Sequence, residues 1–362
     1  MTTMEKARGI IVRSLTPNRP YHAQWMLTRR CNYRCRGCNV WQEQDTKELS
    51  TREIKKGLDA LKELGVIEIV LSGGNPLLRE DIDEIIEYSS RSFITTVYDN
   101  GSMAAQKIEA LRHADLVAIS IDSLDARKND YIRGVPGALK KAMHAIEKLS
   151  REGIRVGVAP TISQLNLHEI IDITNHFLAM KIPVWYSLYS FDPLKEVDQL
   201  FKIGKQNDEF VITDRKAMAN LCNSLVALKR KSGQILITDK ILEAVKTLYS
   251  ENRRTWRCHA LQNFLIIDNR GRVAGCHLQD PVARIDDLPY FWNSERFDGL
   301  RHRYSNCTRC TYLCYIFYSL HGSVLGNLQV ASDRWRSAAL FLRRNWHKFS
   351  DSAGLKSISQ SS

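Results

Sequence analysis

The stretch Gln24-Trp25-Met26-Leu27-Thr28-Arg29-Arg30-Cys31-Asn32-Tyr33-Arg34-Cys35-Arg36-Gly37-Cys38 runs from a short apolar strand pattern straight into three closely spaced cysteines. Three thiolates on so short a loop can hold three irons of a cubane and leave the fourth open to a ligand. The competing reading is a structural zinc site, which wants four closed ligands. His22 is the nearest further donor, but it lies on the far side of the strand from the loop. The loop therefore reads as the seat of a reactive iron–sulfur cluster.

Working outward, the chain alternates short apolar runs with amphipathic segments as far as about residue 190. Strands are expected at Gln24–Thr28, Ile67–Leu71, Ile94–Tyr98, Leu116–Ile121, Val156–Thr161 and Val184–Leu188, with helices near 51–64, 81–90, 103–113, 137–152 and 167–180. Such alternation builds a parallel sheet from consecutive βα units. Six strands are too few to close an eight-stranded barrel, so the expected fold class is α/β, an open partial (β/α)6 barrel. Ligand chemistry in such a barrel belongs at the C-terminal ends of its strands. Two further helices are expected at about 215–231 and 239–250.

The strand ends carry a consistent set of residues. Ser72-Gly73-Gly74-Asn75-Pro76 follows the second strand, Asn100-Gly101 the third, and Ser120 and Asp122 close the fourth. Each alone is an ordinary turn or strand end. With the Cys31-x3-Cys35-x2-Cys38 loop, they resemble the radical S-adenosylmethionine (SAM) superfamily. The resemblance implies a [4Fe-4S] cluster on Cys31, Cys35 and Cys38, whose open iron chelates SAM, and reductive cleavage of SAM to a 5′-deoxyadenosyl radical that takes hydrogen from an unreactive C–H bond. It also implies SAM contacts from Gly73, Gly74, Asn75, Pro76, Asn100, Ser120 and Asp122. Two departures stand out: Asn75 replaces a usual Glu, and Gly37 stands where many members place an aromatic residue near the adenine. The backbone at Gly37 still offers an adenine contact.

A second cysteine group is spaced Cys258-x12-Gly271-x4-Cys276, then Cys307-x2-Cys310-x3-Cys314, around a predicted β-hairpin whose turn is Asp268-Asn269-Arg270-Gly271. It resembles the SPASM and twitch auxiliary-cluster extensions. Five cysteines suit one auxiliary [4Fe-4S] cluster, as in the shorter twitch form. The expected ligands are Cys258, Cys276, Cys307 and Cys310, with Cys314 spare or displacing one of them; a four-thiolate zinc site is the alternative. His259, His277, His302 and His321 read as core or surface residues, and Cys222 as core packing.

The expected organisation is an N-terminal extension at 1–20, the barrel at 21–190, a helical linker region at 191–254, the auxiliary domain at 255–316 and a basic helix with a Ser-rich tail at 317–362. There is no secretory h-region and no apolar run of bilayer length, so a cytoplasmic protein is expected. The 52 basic against 40 acidic side chains give a net charge of +12, which favours an anionic partner. Trp335, Leu342, Trp346 and Phe349 recur at helical spacing among Arg336, Arg343, Arg344 and Lys348. That helix either packs its apolar stripe on the barrel or lies on an anionic membrane surface, which would make the protein peripheral to the membrane and favour a lipid or lipid-linked substrate. Peptide maturation and small-molecule dehydrogenation or epimerisation are the other substrate classes. The resemblance further implies a reductase, ferredoxin or flavodoxin as electron donor. A zinc or iron–sulfur nucleic-acid-binding protein would suit the charge, but it leaves the residues at successive strand ends without a reason; no nucleic acid is expected.

Overall fold

The computed structural model describes residues 19–42, 47–192, 204–205, 207–277, 279–308, 311–321 and 332. The strands are β1 (His22–Thr28), β2 (Glu68–Gly73), β3 (Ile94–Asp99), β4 (Leu116–Ile119), β5 (Val156–Val158), β6 (Thr161–Ile162), β7 (Ser187–Leu188), β8 (Phe191–Asp192), β9 (Gly204–Lys205), β10 (Phe264–Ile267), β11 (Arg272–Ala274) and β12 (Ala283–Arg284). The helices are α1 (Thr51–Leu64), α2 (Ile82–Ser90), α3 (Ile108–Leu111), α4 (Ala126–Arg133), α5 (Ala138–Arg151), α6 (Ile170–Ala179), α7 (Arg215–Lys229), α8 (Asp239–Glu251), α9 (Leu288–Phe291), α10 (Glu295–Ser305) and α11 (Leu313–Leu320).

The main sheet has the order β12-β11-β10-β1-β2-β3-β4-β5, parallel from β10 through β5 and antiparallel at the β10–β11–β12 edge. Pro160 has no N–H to give a ladder, so the fifth strand is split into β5 and β6 on either side of it. The sixth follows through the parallel Val158–Val184 bridge and the β6–β7 pair. This is the open α/β barrel expected from the sequence, with one addition. The Asp268–Gly271 hairpin does not stand apart: β10 pairs directly with β1, and Ala23 lies opposite Leu265.

Register decides what faces the interior. Trp25, Leu71, Val97, Val117 and Val156 form one row across five strands, all buried in the core. One residue earlier, Gln24, Val70, Thr96 and Leu116 form the adjacent row, and they line a cavity inside the barrel. The period of two places one row under the helices and the other towards the barrel axis.

Helix ends fix where the strands deliver their loops. Ser50 and Glu53 make a reciprocal capping box on α1, and Gly65 ends that helix at φ 93°. The 103–113 pattern resolves into a short 3-10 turn at Ala104–Gln106 followed by α3. Helix α4 falls between two expected elements and matches no periodic pattern.

Candidate cofactor and substrate site

The cysteine loop leaves β1 and folds tightly on itself. Cys38 N–H donates to the Cys35 carbonyl at 3.2 Å, and Trp41 Nε1 donates to the same oxygen at 3.1 Å. The loop is tied to α4 by Arg36 N–H donating to Ile132 O at 3.0 Å, and the Arg36 guanidinium sits 4.0 Å from the Tyr131 ring centroid. At the end of α4, Gly134 comes so close that a Cβ there would sit 1.9 Å from Arg34 O. Burial raises the Cys31 and Cys35 thiols and pushes Cys38 up to about 12. Such thiols ionise when a metal cation arrives to share the charge.

Cys31, Cys35 and Cys38 open on a cavity of about 310 Å³. Gly37, Gly73, Gly74, Pro76, Asn100, Ser120 and Asp122 line the same cavity, so the expected SAM-contact residues converge from four strand ends, with one exception. The two central glycines are required by close approach: a Cβ on Gly73 would lie 2.3 Å from Thr28 O, and one on Gly74 2.2 Å from Arg30 O.

The exception is Asn75, which is fully buried and is not among the residues that line the cavity. Its Nδ2 donates to Asp99 Oδ1 at 2.8 Å and Asn100 Oδ1 at 3.2 Å, and its Oδ1 accepts Leu77 N–H at 3.0 Å. The carboxylate of this corner is Asp99, which lines the cavity and accepts the Gly101 and Ala104 N–H groups at 3.0 Å each. Burial raises its pKa against those donors. A Glu at 75 would have set two carboxylates against each other; the amide donates instead.

Three further lining residues were not anticipated. Arg133, on α4, places Nη2 2.8 Å from Asp122 Oδ2, while Asp122 Oδ1 accepts Thr161 N–H at 2.8 Å. Burial raises the Asp122 carboxyl and Arg133 opposes it. Tyr189 and Phe210 stack with centroids 5.3 Å apart, and a Cβ on Gly37 would sit 2.8 Å from Tyr189 Cε2. Two aromatic residues distant in sequence thus lie beside Gly37, in space that only glycine leaves free.

The donor set suits a cubane and SAM. Cys31 Sγ receives Tyr33 N–H at 3.5 Å and the Asn100 amide at 3.9 Å, and the Arg133 guanidinium stands beside Cys35. These donors stabilise anionic sulfur. Glycine backbone, an aromatic pair and an Arg–Asp pair line the cavity beside it.

Comparison with known proteins agrees. The Radical SAM superfamily model matches residues 25–177. The Fe-coproporphyrin III synthase of Methanosarcina barkeri is 34% identical over 295 residues, 77% of this chain and 71% of that protein. The chain belongs to the radical SAM superfamily. The AdoMet-dependent heme synthase of Oleidesulfovibrio alaskensis is 35% identical over 155 residues, a match that covers 41% of this chain and only 40% of that relative. Among solved structures, Streptococcus suis SuiB bound to S-adenosylmethionine shares the fold at TM-score 0.60 and 18% identity, covering 83% of this chain and 72% of that one. Membership in the radical SAM superfamily implies a [4Fe-4S] cluster and SAM.

In this radical SAM enzyme the second cysteine group divides. Tyr304 stands beside both Cys258 and Cys276, with its hydroxyl accepting Gly275 N–H at 3.3 Å, and Cys258 neighbours Cys307. Cys314, on α11, opens instead on the inner cavity of the barrel. Cys310 and the whole Trp335–Phe349 stretch lie outside the described residues. His277 is buried against the Tyr315 hydroxyl at 2.9 Å, and His321 against Thr238 at 2.8 Å, so both serve packing. Among the described residues no helix is long and apolar enough to cross a membrane.

Proposed function

We propose that this enzyme cleaves SAM at Cys31, Cys35 and Cys38 and directs the resulting radical at a C–H bond held in the inner barrel cavity. The observation that carries the reading is that two cavities adjoin: Gln24, Ser72 and Tyr98 line both the cysteine-bearing cavity and the inner cavity, also about 310 Å³. A cluster held there with SAM would supply a 5′-deoxyadenosyl radical, and the protein would contribute position and shielding. With SAM bound, Tyr189 and Phe210 would offer the adenine a flat face, Arg133 would hold Asp122 for the ribose, and the Gly73–Gly74 backbone would admit the methionine portion. Cys258, Cys276 and Cys307 with Cys310 are proposed to hold an auxiliary [4Fe-4S] cluster, leaving Cys314 to the substrate side.

Reduced, anaerobic protein should release 5′-deoxyadenosine and methionine from SAM. Replacing Cys31, Cys35 and Cys38 together by Ala should abolish it, and undiminished cleavage would sink the proposal. A lipid substrate draws its support from the sequence beyond residue 332; co-sedimentation with anionic vesicles at low salt, released by added salt, is its test.

A further inference from the structure

Alternate residues of β3 step from one cavity into the other. Thr96 lines the inner cavity, Asn100 just past the strand lines the cysteine-bearing cavity, and Tyr98 between them lines both. In β2 the same period runs from Val70 in the inner cavity to Ser72, which also lines both. Leu71 pairs with Val97, so Ser72 and Tyr98 come one residue later, near the C-terminal ends of their strands. Tyr98 therefore stands at the boundary where SAM on one side and a substrate on the other have to meet.

Ser72 spends its hydroxyl within the wall: it accepts the Gln24 amide at 3.3 Å and donates to Trp25 O at 3.5 Å. Tyr98 does not. Trp185 Nε1 donates to the Tyr98 oxygen at 2.7 Å, and an indole N–H can only donate. That bond occupies a lone pair and leaves the phenolic hydrogen without an acceptor among the described residues. Trp185 also fixes where the phenol sits. Its ring meets Tyr98 edge-on at 6.2 Å, its backbone N–H donates to Val158 O at 3.1 Å, and a Cβ on Gly157 would lie 2.4 Å from the indole. Burial pushes the Tyr98 phenol up to about 12, so it keeps its proton at neutral pH. A donor held out of water without an acceptor is costly, and a ligand that supplies one removes that cost. Val70, Leu116, Ile237, Ile241 and Phe317 supply apolar wall to the inner cavity.

We infer that the Tyr98 hydroxyl anchors the substrate, donating to an uncharged oxygen acceptor such as a carbonyl, carried on an apolar body in the inner cavity close to the carbon that faces the cysteine side. This rests on the proposed function, because it adds a specificity-determining contact and a substrate class to the same cavity.

The test uses anaerobically reconstituted holoenzyme with SAM and no reductant. The probes are acetophenone and ethylbenzene, which share one ring and one shape and differ in a carbonyl. Calorimetry gives both affinities in wild-type protein and in Tyr98→Phe, which keeps the ring and removes the donor. The two probes differ in hydrophobicity as well, so the quantity read is their affinity ratio in one protein against the other. Acetophenone should lose about fivefold relative to ethylbenzene in the variant. Isotope-edited infrared spectra of bound acetophenone give a readout that depends on no variant folding. Its carbonyl stretch in wild-type protein should lie below the value in hexane, and in Tyr98→Phe it should return towards that value. An unshifted stretch in the wild type, a shift that persists in Tyr98→Phe, an unchanged affinity ratio, or no binding of either probe at millimolar concentration overturns the inference. SAM cleavage by reduced wild-type protein without any probe is scored separately. Cleavage without the Tyr98 signature removes the inference and leaves the proposed function, whereas absent cleavage removes the proposed function itself.

Discussion

Asn75 shows how one residue can leave a family pattern and keep its chemistry. Its amide donates to the Asp99 carboxylate at 2.8 Å in full burial, so the acid at this corner comes from β3 and not from the loop after β2. Restoring the family residue with Asn75→Glu should therefore harm the protein. Two buried carboxylates within hydrogen-bond reach cannot both ionise, and a cost of about 3 kcal/mol is expected in urea unfolding. An unchanged midpoint would contradict the assigned network. Tyr189 carries the complementary expectation. Base–aromatic stacking is worth about 1–3 kcal/mol, so Tyr189→Ala should weaken SAM binding by about tenfold to a hundredfold. Tyr189→Phe should keep the wild-type affinity, a rescue that a merely polar role for the hydroxyl would not give.

At the level of elements, the legible parts were those whose chemistry is local. The strand into Cys31, the glycines after β2 and the ends of β3 and β4 could be read because each places its own backbone at the cavity. Helix α4 could not. Ala126–Arg133 is mostly polar and has no apolar period; it is fixed by its ends, Asp125 accepting Lys128 N–H and Gly134 at φ 65°. With it went Arg133. Tyr189 and Phe210 meet only because the chain returns over the cavity, a contact that no spacing encodes. The hairpin was legible as a hairpin, but its parallel pairing with β1 was not, since register to a distant strand has no local signal. If Cys258, Cys276, Cys307 and Cys310 hold a cluster, anaerobically reconstituted protein should carry about eight irons, and the Cys31/Cys35/Cys38 triple Ala variant about four. A wild-type count near four with stoichiometric zinc would make the second site structural.

At the scale of the whole molecule, the surplus charge needs a place, and no Lys or Arg is among the described residues that line the inner cavity. Three arginines of the cysteine loop, Arg30, Arg34 and Arg36, are exposed around Cys31, Cys35 and Cys38. Arg30 is engaged with Glu48, and Arg34 holds its own loop through the Cys31 carbonyl, whereas Arg36 lies over Tyr131 at the surface. A cluster that receives its electron from a small acidic carrier is best served by a positive rim, because opposite fields raise encounter rates by about tenfold or more at low salt. The Debye length falls from about 10 Å at 0.1 M to about 3 Å at 1 M, so this steering should vanish with salt. Stopped-flow reduction of the holoenzyme by reduced ferredoxin should therefore slow by about tenfold between low and high salt. Arg36→Glu should slow the low-salt rate by a similar factor and flatten the profile, while photoreduction by a neutral deazaflavin stays unchanged. A salt-independent rate with ferredoxin would show that the basic rim does not receive the electron carrier.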